Sequence, residues 1–161
     1  MAKMPEGYDV AVRLLSRREH SAHQLRQKLE LRDFSADAID VVLEKCLQLD
    51  LQSDARFAEM FCRGRINRGY GPLVIRQLLR QAGVSAELSD AALEQAEVSL
   101  NWQDEVSRVW HKKYRGVADN ISPQAQHKQR QFLSYRGFPE ASIKQFFEQF
   151  IQTRCHHEID E

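Results

Sequence analysis

A segment with helical character recurs along this chain at almost constant spacing. Residues 25–44 align with residues 75–94 without a gap, and the matched positions are 50 residues apart. A third copy follows at a spacing of 54, since Arg-Gln-Leu-Leu at 76–79 returns as Arg-Gln-Phe-Leu at 130–133. Repeats of this length are typical of helical arrays, in which each unit buries apolar surface against the next. The matched pairs are Leu25–Ile75, Gln27–Gln77, Leu29–Leu79, Ser35–Ser85, Leu43–Leu93 and Glu44–Glu94.

Apolar residues within the copies have the spacing of α-helices. Ile39, Val42 and Cys46 fall on one stripe at i, i+3 and i+7, as expected for an amphipathic helix. No sustained run alternates with strand periodicity, and the sequence has no Asn-Gly or Asp-Gly hairpin signal. Serines predict helix N-caps, and glycines at 83 and 137 predict helix ends. The predicted caps are Ser21, Ser35, Ser53, Ser85 and Ser122, and the predicted helices cover 8–18, 21–32, 35–49, 53–67, 72–82, 85–98, 101–115, 123–136 and 139–152.

These patterns predict an all-α fold of three tandem three-helix repeats. Each repeat resembles a helix-turn-helix, and stacking of the repeats predicts an elongated arch. The predicted boundaries are 8–50, 51–100 and 101–152, with a flexible tail at 153–161 and a longer loop at 116–121.

The distribution of charge follows the period of the repeat, although the formal net charge is zero. The first two helices of each repeat are basic and the third is acidic. If the repeats stack in similar orientation, the basic helices align into a surface that can bind phosphates. In the alternative, basic helices pair with acidic ones or simply face water. The segments of positive net charge are 13–32, 56–80 and 108–136, and those of negative net charge are 33–54, 81–107 and 137–161.

The basic segments supply the candidate binding residues. Tyr70, between two glycines, is the aromatic ring that we expect to be exposed and able to stack on a base, whereas Trp110 is expected in the core with Val106. Because the third helices are acidic, sequence-specific contact with a major groove is not expected. The predicted residues for binding a partner or phosphates are Arg17, Arg18, Arg26, Lys28, Arg63, Arg65, Arg68, Tyr70, Arg76, Arg80, Lys112, Lys113, Lys128, Arg130 and Arg136.

The sequence carries no motif of a catalytic site. It has no Walker loop, no dinucleotide-binding glycine motif after a strand and no HExxH, so we predict no enzyme, no cofactor and no metal. His20 and His23 lack a third ligand at useful spacing and are interpreted as polar residues at a helix end. The 3 cysteines form no disulfide framework, which favours a reducing compartment. With no secretory signal and no membrane-spanning run, the predicted location is the cytoplasm.

Three stretches of the sequence resemble the RecX family of bacterial regulatory proteins. The central stretch is the most specific, since Asp-Ala-Arg-Phe-Ala at 54–58 is followed by Gly-Tyr-Gly-Pro at 69–72. The resemblance covers residues 8–150, with Gln24 and Leu51 as small departures from the family pattern. The other residues that carry it are Ala11, Leu14, Leu15, Arg17, Arg18, Ser21, Leu25, Arg63, Ile75, Leu78, Gly83, Lys128, Arg130, Gln131, Phe132, Leu133, Arg136, Gly137, Phe138 and Ile143.

The resemblance implies a modulator of the RecA recombinase. Such a protein binds the filament that RecA forms with single-stranded DNA and nucleotide, and lowers its recombinase, ATPase and coprotease activities. DNA repair and the SOS response are modulated as a result. The alternative is an autonomous helical repeat protein that binds nucleic acid directly and without sequence specificity. In either case we expect a monomer.

Overall fold

The computed structural model describes residues 5–115 and 122–157. Within these residues the chain forms nine α-helices and no β-strand, which confirms the all-α prediction. The loop predicted at 116–121 lies outside the described residues. The helices are α1 (Tyr8–Leu15), α2 (Ala22–Glu30), α3 (Ala36–Gln48), α4 (Asp54–Asn67), α5 (Pro72–Gln81), α6 (Ala86–Glu97), α7 (Trp102–Lys113), α8 (Pro123–Tyr135) and α9 (Glu140–His157).

The predicted serine N-caps are confirmed at every position. Each hydroxyl oxygen accepts a hydrogen bond from the backbone N–H three residues later, at 3.1–3.3 Å. These bonds satisfy N–H groups that a helix start leaves without an intrahelical partner. The caps therefore set where α2, α3, α4, α6 and α8 begin.

Two helix ends differ from the prediction. Helix α1 stops at Leu15, before the predicted end at 18. The hydroxyl of Ser16 then donates a hydrogen bond to the carbonyl oxygen of Arg13 at 2.9 Å. Helix α9 runs to His157, beyond the predicted end at 152, because no glycine or proline follows to stop it. The rest of the predicted tail, 158–161, lies outside the described residues, and the repeat boundaries stay a prediction.

The chain divides into two compact units, each with its own core. The first unit contains Met1–Arg63 and Arg76–Glu94, and the second contains Gly64–Ile75 and Gln95–Glu161. Apolar side chains from α1, α2 and α3 form a core in the first unit, and aromatic and aliphatic side chains from α7, α8 and α9 form one in the second. The core residues of the first cluster are Ala11, Leu25, Leu29, Ile39, Val42 and Cys46, and those of the second are Val106, Val109, Trp110, Leu133, Phe138, Ile143, Phe146 and Phe147.

Trp110 lies in the second core, as predicted, together with Val106. Its indole N–H donates a hydrogen bond to the side-chain oxygen of Gln129 at 2.9 Å, and Gln129 is itself buried. The polar atom of a buried tryptophan normally has such a partner. The pair therefore fixes α8 against α7 inside the core.

A contact between the start of one helix and a distant turn occurs twice. In the first unit, the hydroxyl of Ser21 before α2 donates to the carbonyl oxygen of Ala82 at 2.6 Å. In the second unit, the N–H of Gly71 before α5 donates to the carbonyl oxygen of Arg136 at 2.7 Å. The two helix starts are 50 residues apart and the two turns are 54 apart, which are the spacings of the sequence repeat. The repeat in sequence is thus also a repeat of tertiary contacts.

Equivalent residues in the three turns have left-handed backbone conformations. The φ angles are 61° at Asp33, 78° at Gly83 and 91° at Gly137. A Cβ atom at Gly83 would lie 2.4 Å from the Cβ of His23, and one at Gly137 would lie 2.5 Å from the backbone nitrogen of Val74. Asp33 is exposed, and aspartate tolerates this conformation better than most residues. Glycine is therefore required where a helix start packs on the turn.

His20 lies next to the start of α2, in agreement with its interpretation as a polar residue at a helix end. Only 2% of it is exposed. Its Nδ1 lies 3.0 Å from the carbonyl oxygen of Arg18, and the Gln52 amide donates to the carbonyl oxygen of His20 at 3.3 Å. Burial lowers the pKa of His20 from its ordinary value of 6.5.

Candidate basic interface

The predicted basic residues lie on the surface of both units. The exposed ones are Arg17, Arg18, Arg63, Arg68, Arg76, Arg80, Lys112, Lys113 and Lys128. The half-buried ones are Arg26, Lys28, Arg65, Arg130 and Arg136, together with Tyr70, which is less exposed than expected.

One arginine in each second helix pairs with an acidic residue of the following helix. The three arginines occupy equivalent positions of the repeat, 50 and 54 residues apart. At this position the structure follows the alternative in which basic helices pair with acidic ones. Such half-exposed pairs contribute up to about 1 kcal/mol each and leave less positive charge for a partner. The pairs are Arg26–Asp40 at 2.5 Å, Arg76–Asp90 at 2.8 Å and Arg130–Glu140 at 3.6 Å.

Arg56 of the first unit is neutralised more strongly. Its guanidinium donates to Glu19 at 2.9 Å and to Asp50 at 2.7 Å. Hydrogen bonds from the guanidinium to Asp50 and Glu19 raise the pKa of Arg56. Arg56 therefore fastens the start of α4 to two loops and offers little charge to a partner.

The second unit brings basic residues from three elements around one cleft of about 280 Å³. The end of α4 and the turn after it form one wall, and α7 and α8 form the others. Four of the predicted residues meet here, namely Arg68, Lys112, Lys113 and Arg136. The remaining lining residues are Asn67, Gly69, Arg108, Val109 and Phe132. We refer to this site as the basic cleft.

Cations and aromatic rings alternate from the lining of the basic cleft to Tyr70 and Arg65, which lie outside that lining. The Nζ atom of Lys113 lies 3.9 Å from the centroid of the Phe132 ring. The guanidinium carbon of Arg136 lies 5.3 Å from the Phe132 ring and 4.9 Å from the Tyr70 ring, and that of Arg65 lies 5.8 Å from Tyr70. These are distances at which a ring face attracts a cation. The two rings attract these cations and, unlike carboxylates, add no negative charge of their own. We call this series the cation–aromatic ladder.

Two arginines also bind the carbonyl end of α4. Arg136 donates to the carbonyl oxygen of Arg68 at 3.1 Å, and Arg108 donates to that of Ile66 at 2.8 Å. Positive groups stabilise the C-terminal end of a helix, where carbonyl groups lack intrahelical partners. Both guanidiniums are therefore held in fixed positions at the edge of the cleft. Glu105 pairs with Arg108 and lowers the net charge there.

Arg108 and Phe132 were not among the predicted binding residues. Arg108 opens the third basic segment, but its pairing with Glu105 three residues earlier resembles an ordinary helix-surface pair. Phe132 carries no charge, so the charge pattern that selects the predicted residues does not include it. Their participation depends on the approach of α4 to α7 and α8, which the local sequence does not encode.

The described part of the chain offers neither a metal centre nor a membrane span. No group of three histidine, cysteine or acidic residues among 5–115 and 122–157 could hold a metal ion. None of the described helices is long and apolar enough to cross a bilayer.

Two family models match the chain, one within each of the first two predicted repeats. The model "RecX, first three-helix domain" matches residues 8–46, and "RecX, second three-helix domain" matches residues 53–93.

Several bacterial proteins named regulatory protein RecX are similar along most of their length. The protein of Legionella pneumophila strain Corby is 40% identical over 146 residues, which are 91% of this chain and 95% of the relative. That of Haemophilus influenzae strain PittEE is 36% identical over 132 residues, which are 81% of this chain and 86% of the relative. Among solved structures, RecX from Lactobacillus salivarius is similar in fold, with a TM-score of 0.76, 24% identity and coverage of 89% of this chain and 94% of that one.

Proposed function

This chain belongs to the RecX family, and from that premise we propose that it binds the RecA filament on single-stranded DNA and inhibits its activities. The observation that carries the proposal is 40% identity over 91% of the chain with a protein named regulatory protein RecX. A regulatory role follows from the family. The RecA filament as its target, and the cytoplasm as its location, are the finer steps that we propose.

The mechanism is inhibition by binding. A filament on DNA carries a row of phosphates, so an exposed basic surface attracts it over long range and accelerates association. A protein bound along the filament opposes growth and persistence of the filament. ATP hydrolysis, strand exchange and coprotease activity then fall together, without a chemical step on this chain.

The basic cleft supports this proposal as the part of the surface that meets the filament. Arg68 and Lys112 are exposed there, and neither side chain forms an ion pair with a carboxylate of the described residues. The arginines at 26, 56, 76 and 130 are instead paired with acidic residues. The basic cleft therefore presents positive charge that these residues do not.

The test measures ATP hydrolysis and strand exchange by RecA on single-stranded DNA, with this protein added at concentrations comparable to RecA. We expect both rates to fall and the isolated protein to hydrolyse no ATP. Unchanged RecA activity would contradict the proposal.

A second arm separates the two functions. Binding to bare single strands is compared with binding to a preformed filament of RecA, DNA and nucleotide. Stronger binding to the filament supports the modulator, and equal binding to both supports an autonomous nucleic-acid-binding protein. A matched control replaces two exposed acidic residues of α6, Glu87→Ala with Glu94→Ala. If this pair weakens filament binding and Arg68→Ala with Lys112→Ala does not, the acidic helices are the recognition surface.

A further inference from the structure

We propose that the basic cleft is a phosphate-binding site that takes the phosphoryl oxygens of a phosphodiester or of a short polyphosphate. The inference rests on the proposed function in treating this cleft as part of the surface that meets the filament. It goes further by naming the chemical group that the cleft holds and the residues that hold it.

The size of the cleft fits a phosphate group. Pockets that enclose a drug-sized ligand usually measure about 300–1,000 Å³. The basic cleft, at about 280 Å³, lies just below that range. It has room for a phosphate group.

The donors belong to different elements of the second unit. Arg68 follows α4, Lys112 lies in α7 and Arg136 follows α8. A phosphate has oxygen acceptors arranged around a tetrahedral centre and can accept from several such donors at once. A carboxylate has two oxygens in one plane, which suits a single arginine fork better. The arrangement therefore favours phosphate over the acidic side chains of a protein partner.

The cation–aromatic ladder orders the guanidinium of Arg136 before an anion binds. Arg136 lies between the rings of Phe132 and Tyr70 and donates one N–H to the carbonyl oxygen of Arg68. No carboxylate of the described residues pairs with the guanidinium of Arg136. A side chain that is already ordered loses less conformational entropy when it binds a ligand.

Binding is measured without RecA, by fluorescence anisotropy of a 5′-labelled oligothymidylate in a salt titration. Arg68→Ala with Lys112→Ala should weaken binding about tenfold or more, since each residue contributes a charge-assisted hydrogen bond. Each lost phosphate contact should also flatten the slope of log K against log salt by about 0.7. Both side chains are exposed, so melting should be unaffected. Arg68→Gln with Lys112→Gln serves as a second variant.

The control removes two exposed positive charges that lie outside the predicted binding residues, Arg32→Ala with Lys144→Ala, and should leave the affinity within about twofold of wild type. Equal losses in the two double variants would overturn the site, since only net charge would matter. So would an unchanged affinity in the cleft variant.

Competition identifies the source of the phosphate. Sodium triphosphate and ATP test a free polyphosphate, and polyglutamate of comparable charge tests carboxylates. If triphosphate binds the wild type and not the cleft variant, free polyphosphates use the site. If only the oligonucleotide depends on Arg68 and Lys112, the site serves the nucleic-acid backbone. Displacement by polyglutamate as effective as by triphosphate would overturn the preference for phosphate.

The oligonucleotide-binding assay and the RecA assay test the two proposals separately. Loss of RecA inhibition with intact, cleft-dependent oligonucleotide binding would contradict the proposed function alone. Intact RecA inhibition with oligonucleotide binding that ignores the cleft residues would contradict the phosphate site alone.

Discussion

Replacing Gly71 with alanine tests the contact that joins α5 to the turn after α8. A Cβ atom at Gly71 would lie 2.4 Å from the carbonyl oxygen of Gly137 and 2.6 Å from the backbone nitrogen of Phe138. Both neighbours are backbone atoms, so no side chain can rotate away. The helix start and the turn must therefore separate.

The cost of that separation has two parts. Forcing a methyl group into a packed contact costs about 1–3 kcal/mol. The movement also stretches two hydrogen bonds, from Gly71 to the carbonyl oxygen of Arg136 at 2.7 Å and from Leu73 to that of Gly137 at 3.0 Å. At about 0.5–1.5 kcal/mol each, their loss brings the total to roughly 2–6 kcal/mol. For a chain of this length, Tm should fall by roughly 5–20 °C.

Gly64→Ala is the matched control. Gly64 lies within α4 and is exposed, and a Cβ atom there would have no neighbour within 4 Å. Alanine in place of an interior helix glycine stabilises the fold by about 0.5–1 kcal/mol. The two variants therefore shift Tm in opposite directions in thermal melts followed by circular dichroism at 222 nm. A Gly71→Ala protein that melts within about 2 °C of wild type would refute the contact.

Three further changes test other parts of the molecule. Gln129→Ala leaves the buried indole N–H of Trp110 without its acceptor, so the free energy of unfolding should fall by about 1–3 kcal/mol. Urea unfolding followed by tryptophan fluorescence measures this loss, and an unchanged midpoint would contradict the pairing. Because burial lowers the pKa of His20, the folded state disfavours its protonated form, so stability is full above pH 6.5 and is lost as the pH falls below that value. His20→Gln should remove this loss, and a variant with the wild-type pH dependence would exclude His20 as its source. Arg76→Ala breaks a half-exposed pair with Asp90 and should cost at most about 1 kcal/mol, so a larger loss would mean that the pair does more than join two helices.

The local signals in the sequence predicted much of the fold. Serine caps and glycine turns act over three or four residues, so they can be read from a short window. Ser21 and Gly137 lie where the sequence predicted a helix start and a helix end. The sequence repeat also predicted that the same order of helices recurs along the chain, because equivalent residues return after 50 and 54 positions.

The candidate site depended on contacts that no short window contains. Charge and position in a basic segment indicate Arg65, Lys113 and Arg136, and position between two glycines indicates Tyr70. The alternation of these residues with Phe132 comes only from the packing of the second unit. The burial of His20 has the same origin, since it depends on residues distant in the sequence, such as Gln52, which donates to the carbonyl oxygen of His20. Side-chain type thus indicated which residues carry charge, and tertiary contacts decide which of those charges are neutralised.

The two copies of the repeated contact use equivalent residues in different ways. Positions 18 and 20 of the first copy correspond to 68 and 70 of the second, 50 residues later. In the first copy, the carbonyl oxygen of Arg18 lies 3.0 Å from the Nδ1 of His20, which is buried. In the second copy, the carbonyl oxygen of Arg68 accepts from Arg136, and Tyr70 stays half-buried under the same guanidinium.

The chemical difference follows from the partner of each carbonyl group. A buried imidazole within hydrogen-bond distance of a backbone carbonyl group adds no exposed charge. The contact in the first copy therefore only holds two helices together. A guanidinium brings a permanent positive charge to the same place, and aromatic rings keep that charge at the surface. A repeat can therefore acquire a binding site at one of these contacts by changing side chains, while a helix start still donates to the carbonyl oxygen of the distant turn. For this reason the basic cleft belongs to the second unit, although the first unit contains the same number of helix starts and turns of this kind.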